Sequence, residues 1–152
     1  MKAKGSYRPN SYEYEVLPNG TAVIRFYENI EEVIEEGRDD QPDALNYEYD
    51  RYTLTRSHSD HLLNRVINET STWLNFAKQE EARELAADIR AQRDKLLVKT
   101  DKTQMPDADV SDTCRELYRE YRQLLRDIPE QPFFPYSVEW PEEPPIEKQP
   151  RR

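Results

Sequence analysis

Glycine, cysteine and histidine are scarce in this chain of 152 residues, which has three glycines, one cysteine and two histidines. Glycines only at positions 5, 20 and 37 leave no glycine-rich phosphate loop. One cysteine forms no internal disulfide, so we expect Cys114 to be a small buried hydrophobic residue in a reducing compartment. His58 and His61 could share a helix face, but catalytic zinc needs a third protein ligand. We interpret them as helix-start residues and predict no metal and no cofactor.

Long apolar runs and an excess of basic charge are also missing. No stretch approaches the length of a membrane span, and the N-terminus lacks the apolar core of a signal peptide. The net charge of −9 argues against a phosphate-backbone partner. We therefore expect a soluble, intracellular protein with no membrane and no nucleic-acid partner. The hydrophobic share of 36% predicts a thin core, to which ten tyrosines can contribute.

Groups arranged for catalysis are absent as well. Serine, histidine and acidic residues occur without a nucleophile-elbow pattern. Carboxylate pairs such as Glu80/Glu81 and Glu142/Glu143 lie in solvated stretches, where neither pKa would be driven to a catalytic value. We predict a non-enzyme.

The N-terminal third is typical of a small antiparallel sheet. Residues 1–11 show no periodicity and are predicted to be a loose tail. Pro18-Asn19-Gly20 predicts a hairpin turn, because Asn-Gly readily takes positive φ angles. Residues 29–36 are compatible with one or two helical turns or an irregular connection, and residues 37–42 with a polar loop. The predicted strands are residues 12–16, 21–27 and 47–55.

A long helix is predicted over residues 60–98, with Ser59 or Asp60 as its N-cap. Its length exceeds that of an ordinary globular helix, so we expect a kink or a free middle around residues 78–83. The first half should pack on the sheet. The second half, from Leu85, should pair antiparallel with a helix over residues 111–128 after a loop at 99–110.

Beyond that helix the apolar period changes from 3.6 to two. Pro129 stops the helix. The residues that then alternate onto one face predict an extended aromatic arm; they are Phe134, Tyr136, Val138 and Trp140. Ordering about eight residues costs roughly 8–16 kcal/mol, and each buried aromatic side chain offsets about 4–6 kcal/mol of it. The arm therefore needs an apolar surface, either the chain's own helices or a groove shared with a peptide partner.

Arginines and aspartates are concentrated in the same region and suggest contacts between the two helices. One interpretation is an ion-pair network that fixes the loop and the arm. The other is a fork that binds a carboxylate of a partner peptide through bidentate arginine. The residues concerned are Arg90, Arg93, Asp94, Asp101, Arg122, Arg126 and Asp127.

These stretches resemble the phage tail assembly chaperone domain family over about the last two-fifths of the chain. The chain departs from the family pattern at Lys102, where the family usually has tryptophan, and at Phe133, where it usually has glycine. The matching positions are Arg90, Arg93, Asp94, Leu96, Leu97, Asp101, Thr103, Gln104, Asp107, Ala108, Tyr121, Arg122, Gln123, Leu125, Arg126, Asp127, Ile128, Pro129, Phe134, Pro135, Val138, Trp140 and Pro141.

The resemblance implies a chaperone that binds and holds a phage tail or tail-fibre protein in the host bacterial cytoplasm. The residues of its core would be Tyr121, Arg122, Arg126, Ile128, Phe134, Val138 and Trp140. A structural virion protein, located in the tail or fibre, is the alternative, and a small regulatory or host-directed binding protein is a weaker one. Self-association into a homo-oligomer is left open.

The expected fold class is α+β, with about three antiparallel strands, a long central helix, a second antiparallel helix and the extended arm. We divide the chain into a sheet region at 1–58, a connecting helix at 59–84, a chaperone-like helical hairpin with its arm at 85–145, and a disordered tail at 146–152.

Overall fold

The computed structural model describes residues 2–36 and 44–147. The predicted polar loop at 37–42 and residues 148–152 of the predicted tail lie outside this part of the chain. The described residues form an antiparallel sheet, a long helix and a further helix, which confirms the α+β class. Two compact units divide the chain, Met1–Glu81 and Ala82–Arg152.

The sheet has four strands rather than three, in the order β1-β4-β3-β2. The prediction of a loose tail at residues 1–11 is wrong for β1, which pairs with β4 from Lys2↔Asp50 to Gly5↔Tyr47. The pairing of β1 with β4 is made by backbone groups and does not depend on the side chains of β1. The strand therefore has no side-chain period from which it could be predicted. The strands are β1 Lys2–Gly5, β2 Tyr12–Val16, β3 Thr21–Glu35 and β4 Ala44–Ser57.

The hairpin between β2 and β3 is confirmed, but its turn differs from the predicted one. Only Gly20 of the Asn-Gly pair has a positive φ, at 75°. The Asn19 side chain accepts a hydrogen bond from the Thr21 N–H at 3.0 Å, and the Leu17 N–H donates to Thr21 O at 2.8 Å. The loop thus contains one left-handed residue at its end, as three-residue hairpin loops do.

Strand β3 runs on through the stretch predicted to be a short helix or an irregular connection, so that prediction is wrong. Its pairing register with β4 shifts between Glu28 and Glu31, and Asn29 there has a φ of 49°. Pairing then resumes and continues to Glu35↔Ala44. A bulge of this kind moves the apolar residues out of strict alternation, which gave the stretch its helix-like spacing.

The core of the N-terminal unit lies where two helices cover one face of the sheet. Helix α1, Asp60–Asn68, begins at Ser59, whose side chain accepts from the Leu62 N–H as predicted. Helix α2, Thr70–Thr100, follows after Glu69. The buried side chains of this core are Ala22, Ile24, Phe26, Leu54, Leu62, Val66 and Ala77.

The predicted single helix is therefore interrupted at Glu69 and not around residues 78–83. The part of α2 expected to be free is bound to the sheet by ion pairs, one between Lys78 and Glu28 and one between Arg56 and Glu80. Long polar side chains can reach strand residues that an apolar pattern does not identify.

The C-terminal unit contains the second half of α2, a 3-10 helix at Asp101–Gln104 and helix α3, Asp112–Asp127. Ser111 caps α3 by accepting from the Cys114 N–H at 3.1 Å. A short 3-10 helix at Ile128–Glu130 follows, with Pro129 inside it. The predicted packing between the two helices is confirmed by a core formed from Ile89, Val110, Cys114, Tyr118, Tyr121, Leu125 and Ile128.

Alkaline pH is expected to destabilise the N-terminal unit through Tyr27. Burial, together with a 2.7 Å hydrogen bond to Glu13, raises the pKa of Tyr27 from 10.0 to about 12. The neutral phenol is thus favoured in the folded state, so its stabilisation is complete below the unfolded pKa and is lost as pH rises through the folded one. We expect the free energy of unfolding, measured with urea, to fall by about 2–3 kcal/mol as the pH rises from below 10.0 to above about 12. Tyr27→Phe should reduce this loss. Tyr7→Phe, at an exposed tyrosine, should leave it unchanged, and an equal effect of both would contradict the assignment.

Candidate partner-binding site

Arg122 is the main polar contact between α3 and the end of α2. Its Nη1 donates to Leu97 O at 2.5 Å and to Thr100 Oγ1 at 2.8 Å, and its Nη2 pairs with Asp101 Oδ1 at 2.6 Å. The side chain is 11% exposed. The last carbonyls of a helix need donors other than the regular backbone bonds, and Leu97 O also accepts from Thr100 Oγ1 at 3.1 Å. A cation there interacts favourably with the helix dipole. Arg122 therefore caps α2 from a neighbouring helix.

The other predicted charged residues do not extend this contact into a network across the helices. Arg93 pairs with its neighbour Asp94 at 2.7 Å on the same helix. Asp127 accepts from Gln123 on α3 at 2.8 Å. The Arg90 guanidinium lies 5.2 Å from the centre of the Phe134 ring, a cation–π contact.

Arg126 is exposed and has no hydrogen bond or ion pair with residues in the described part of the chain. Of the predicted charged set, one ion pair, Arg122–Asp101, joins the two helical elements in that part. The interpretation of a fork for a partner carboxylate stays a prediction.

Two tyrosines of α3 are buried in the core beneath the arm. The rings of Tyr118 and Tyr121 meet edge to face at 6.2 Å. Burial is the main cause that raises the pKa of both hydroxyls, and the nearby Glu143 carboxylate raises it further. Both phenols are therefore held in their neutral form, in which Tyr118 can donate a hydrogen bond.

The arm is not a strand with four aromatic or apolar side chains on one face. Residues 132–136 form turns, in which the Phe134 N–H donates to Gln131 O and the Tyr136 N–H donates to Phe133 O. Phe134 and Val138 pack against the core as predicted, whereas Tyr136 is 63% exposed. Because the chain bends back on itself here, alternate residues no longer share a face, and the period-two prediction is wrong at this point.

A side-chain amide closes the bend. The Gln131 Nε2 donates to Glu139 O at 2.8 Å, and its Oε1 accepts from the Glu139 N–H at 2.9 Å. This pair of bonds imitates the pairing of two backbone segments and holds the two ends of the turn together. Residues Pro132–Ser137 are thereby presented as a closed loop on the surface.

We call the two hydrogen bonds between Gln131 and Glu139 the Gln131 clamp. Two adjacent grooves lie on either side of it, and Gln131 and Glu139 line both. The first, about 350 Å³, has Leu124 and Trp140 in its wall. The second, about 330 Å³, has Phe133 in its wall. Phe133 is 72% exposed, Leu124 is also exposed, and Trp140 is 39% exposed. An exposed apolar surface rimmed by polar groups is typical of a protein-binding site. We call this surface the clamp surface; its residues are Leu124, Asp127, Gln131, Pro132, Phe133, Ser137, Glu139, Trp140 and Pro141.

Several residues of this site were not singled out from the sequence. The residue types alone do not distinguish Leu124, which is exposed, from its buried neighbour Leu125 on the same helix. Phe133 drew attention only as a departure from the family pattern. The clamp residue Gln131 carries no signal in its own neighbourhood, since its partner Glu139 comes eight residues later.

Within residues 2–36 and 44–147, no three side chains from His, Cys, Asp and Glu are grouped so that they could hold a metal ion. Over the same residues, no helix is both long enough and apolar enough to span a bilayer.

Comparison with known proteins gives a match between residues 86–145 and a family model. No curated protein and no solved structure matches this chain significantly. The matched segment contains α3, the clamp surface and the second half of α2, and it supports a role in phage tail assembly. Residues 86–145 match the family model described as phage tail assembly chaperone protein, so the resemblance seen in the sequence is confirmed for the C-terminal part of the chain.

Proposed function

We propose that this protein is a non-catalytic chaperone that binds a phage tail or tail-fibre protein through the clamp surface and holds it until assembly. The observation that carries the proposal is the position of the family match. It covers residues 86–145, and every residue of the clamp surface falls within that range. The role is thus assigned to the part of the chain where large apolar side chains are exposed beside a rigid hydrogen-bonded loop.

A chaperone that holds a partner needs an apolar surface that is already ordered before the partner binds. The Gln131 clamp fixes the loop that carries Phe133, so little conformational entropy remains to be lost on binding. Asp127 and Glu139 at the groove walls favour a partner with basic residues around an apolar centre. The net charge of −9 would keep a complex with an aggregation-prone partner dispersed. The proposed location is the host bacterial cytoplasm.

The test is co-expression with the tail proteins encoded near this chain, followed by capture and measurement of affinity. The double variant Leu124→Ser with Phe133→Ser is expected to weaken binding at least about tenfold, because central apolar contacts dominate interface energies. The matched control is Val98→Ser, which removes a side chain that is 70% exposed but lies outside both grooves. Equal binding by both variants would contradict the assignment of the clamp surface.

Purified particles provide a second test. A chaperone that leaves after assembly should be absent from them by mass spectrometry. Presence at a fixed copy number would instead indicate a structural virion protein, and would overturn the proposal of a transient holder.

A further inference from the structure

A third groove of the C-terminal unit, along α3, is already occupied by the chain's own residues 141–147. The Ser111 N–H donates to Glu147 O at 3.0 Å, and the Tyr118 hydroxyl donates to Pro144 O at 2.8 Å. Seven residues of helix, about two turns, separate these two donors. Glu147 therefore meets the beginning of α3 and Pro144 meets its middle, so the segment runs antiparallel to the helix.

The hydrogen-bonding pattern of this groove suits proline. A proline offers a carbonyl but no N–H, so it brings an acceptor into a groove without burying a donor that needs a partner. Pro144 O accepts from Tyr118, and Pro145 O lies 3.7 Å from the Cys114 thiol. The Glu147 N–H meets the Cys114 sulfur at 3.4 Å. The groove thus matches two prolines, a variable residue and then a residue with a free N–H.

An acidic residue precedes the two prolines and extends the match. Glu143 pairs with Lys99 at 2.6 Å and lies near the Tyr118 hydroxyl. The side chain of Ile146 does not contribute to recognition in the same way, since this residue is 55% exposed. The groove therefore contacts backbone carbonyls and one carboxylate more than apolar side chains. Its lining residues are Lys99, Ser111, Cys114 and Tyr118.

The difference in burial between residues 141–147 and the groove beneath them favours replacement of this segment by another one. Pro141 and Pro144 are partly buried and the other residues of 141–147 are exposed, whereas Cys114 and Tyr118 beneath them are fully buried. A segment held by a few polar contacts with little apolar burial opens at low free energy. The bare groove would expose a thiol and a tyrosine ring, so it gains by taking another segment of the same kind.

We infer that this groove is a binding site for a proline-rich acidic segment, Glu-Pro-Pro in its centre, of a partner protein, and that residues 141–147 are its resident intramolecular ligand. The inference goes beyond the proposed function, because the residues that line this groove are not part of the clamp surface and because it defines a ligand chemistry. A tethered ligand acts at an effective concentration in the millimolar range. A partner segment binds when it carries more contacts or when the resident segment is weakened.

The experiment uses the full chain and a fluorescein-labelled peptide with the sequence of residues 141–147, followed by anisotropy. The variant Pro144→Gly with Pro145→Gly weakens the resident segment by raising its entropy in the open state, and leaves the groove intact. This variant is expected to bind the peptide at least about tenfold more tightly than the original chain does. The control is Glu142→Gln, at an exposed position in the same segment, which should change binding by less than about twofold.

A groove variant and a labelling measurement complete the test. Tyr118→Phe, added to the double glycine variant, removes one donor and should weaken peptide binding about fivefold. In the original chain, excess peptide should increase hydrogen exchange of the Glu147 amide and leave that of Leu125 unchanged. The inference is overturned if neither the tightening nor this selective exchange is seen. It is also overturned if the chain forms a dimer by exchanging residues 141–147 between copies and the double glycine variant binds no peptide.

Discussion

Replacing Arg122 with alanine is expected to lower the free energy of unfolding of the C-terminal unit by about 2–4 kcal/mol. The substitution removes a mostly buried cation that bonds Leu97 O, Thr100 Oγ1 and Asp101. Leu97 O then lacks its outside donor at the end of α2, and the interaction of the cation with the helix dipole is lost. Urea unfolding followed by circular dichroism measures the change. Natural domains are stable by only about 5–15 kcal/mol, so this is a large fraction.

The control for this prediction lies one helical turn away. Arg126→Ala removes the same side chain from the same helix, at an exposed position with no polar partner among the described residues. It is expected to change stability by less than about 0.5 kcal/mol. Equal losses for the two variants would show that loss of arginine itself, and not the cap on α2, causes the effect.

Replacing Phe26 with alanine is expected to lower the free energy of unfolding of the N-terminal unit by about 3–5 kcal/mol. Phe26 on β3 is fully buried. It belongs to the same core as Leu54, Val66 and Ala77. Removing the ring loses its transfer free energy and leaves a cavity that neighbours on a hydrogen-bonded sheet can fill only in part.

Phe76→Ala is the matched substitution on α2. Phe76 is close to half exposed and contacts the Trp73 ring edge to face at 5.7 Å, so the expected loss is about 1 kcal/mol. Thermal or urea unfolding of both variants distinguishes the two positions. If Phe26→Ala cost no more than Phe76→Ala, the position of Phe26 in this core would be wrong.

The elements that the sequence predicted well depend on neighbouring residues. The hairpin at residues 18–20, the Ser59 cap and the end of α3 next to Pro129 all follow from bonds within a few positions of chain. Two of the predictions that failed concern pairing with a strand elsewhere in the sheet. Strand β1 has its partner more than forty residues away, and the extension of β3 has its partner in the first half of β4.

The candidate site divides in the same way. Sequence similarity placed it near the C-terminus and identified Arg122, Phe134 and Val138, which the structure brings to the helical core. A role in binding a partner stays a prediction for the seven charged residues, for Tyr121 and for the arm residues Phe134, Tyr136, Val138 and Trp140. Phe133 and Gln131 were missed because a turn, and not a strand, decides which side chains of the arm remain exposed. Leu124 was missed because it lies on the exposed side of α3.

The sequence by itself determined the family resemblance of the C-terminal part, the α+β class, the start of α1, the end of α2 and both ends of α3 to within about two residues. Local backbone chemistry and an ordered motif along the chain carry this information. Only the tertiary structure decided that Gln131 closes a loop on Glu139, and that residues 141–147 lie on Tyr118 and Ser111. Such bonds form between groups whose own surroundings carry no pattern. They depend on which segments packing of the cores at Phe26 and Tyr118 brings within hydrogen-bonding distance.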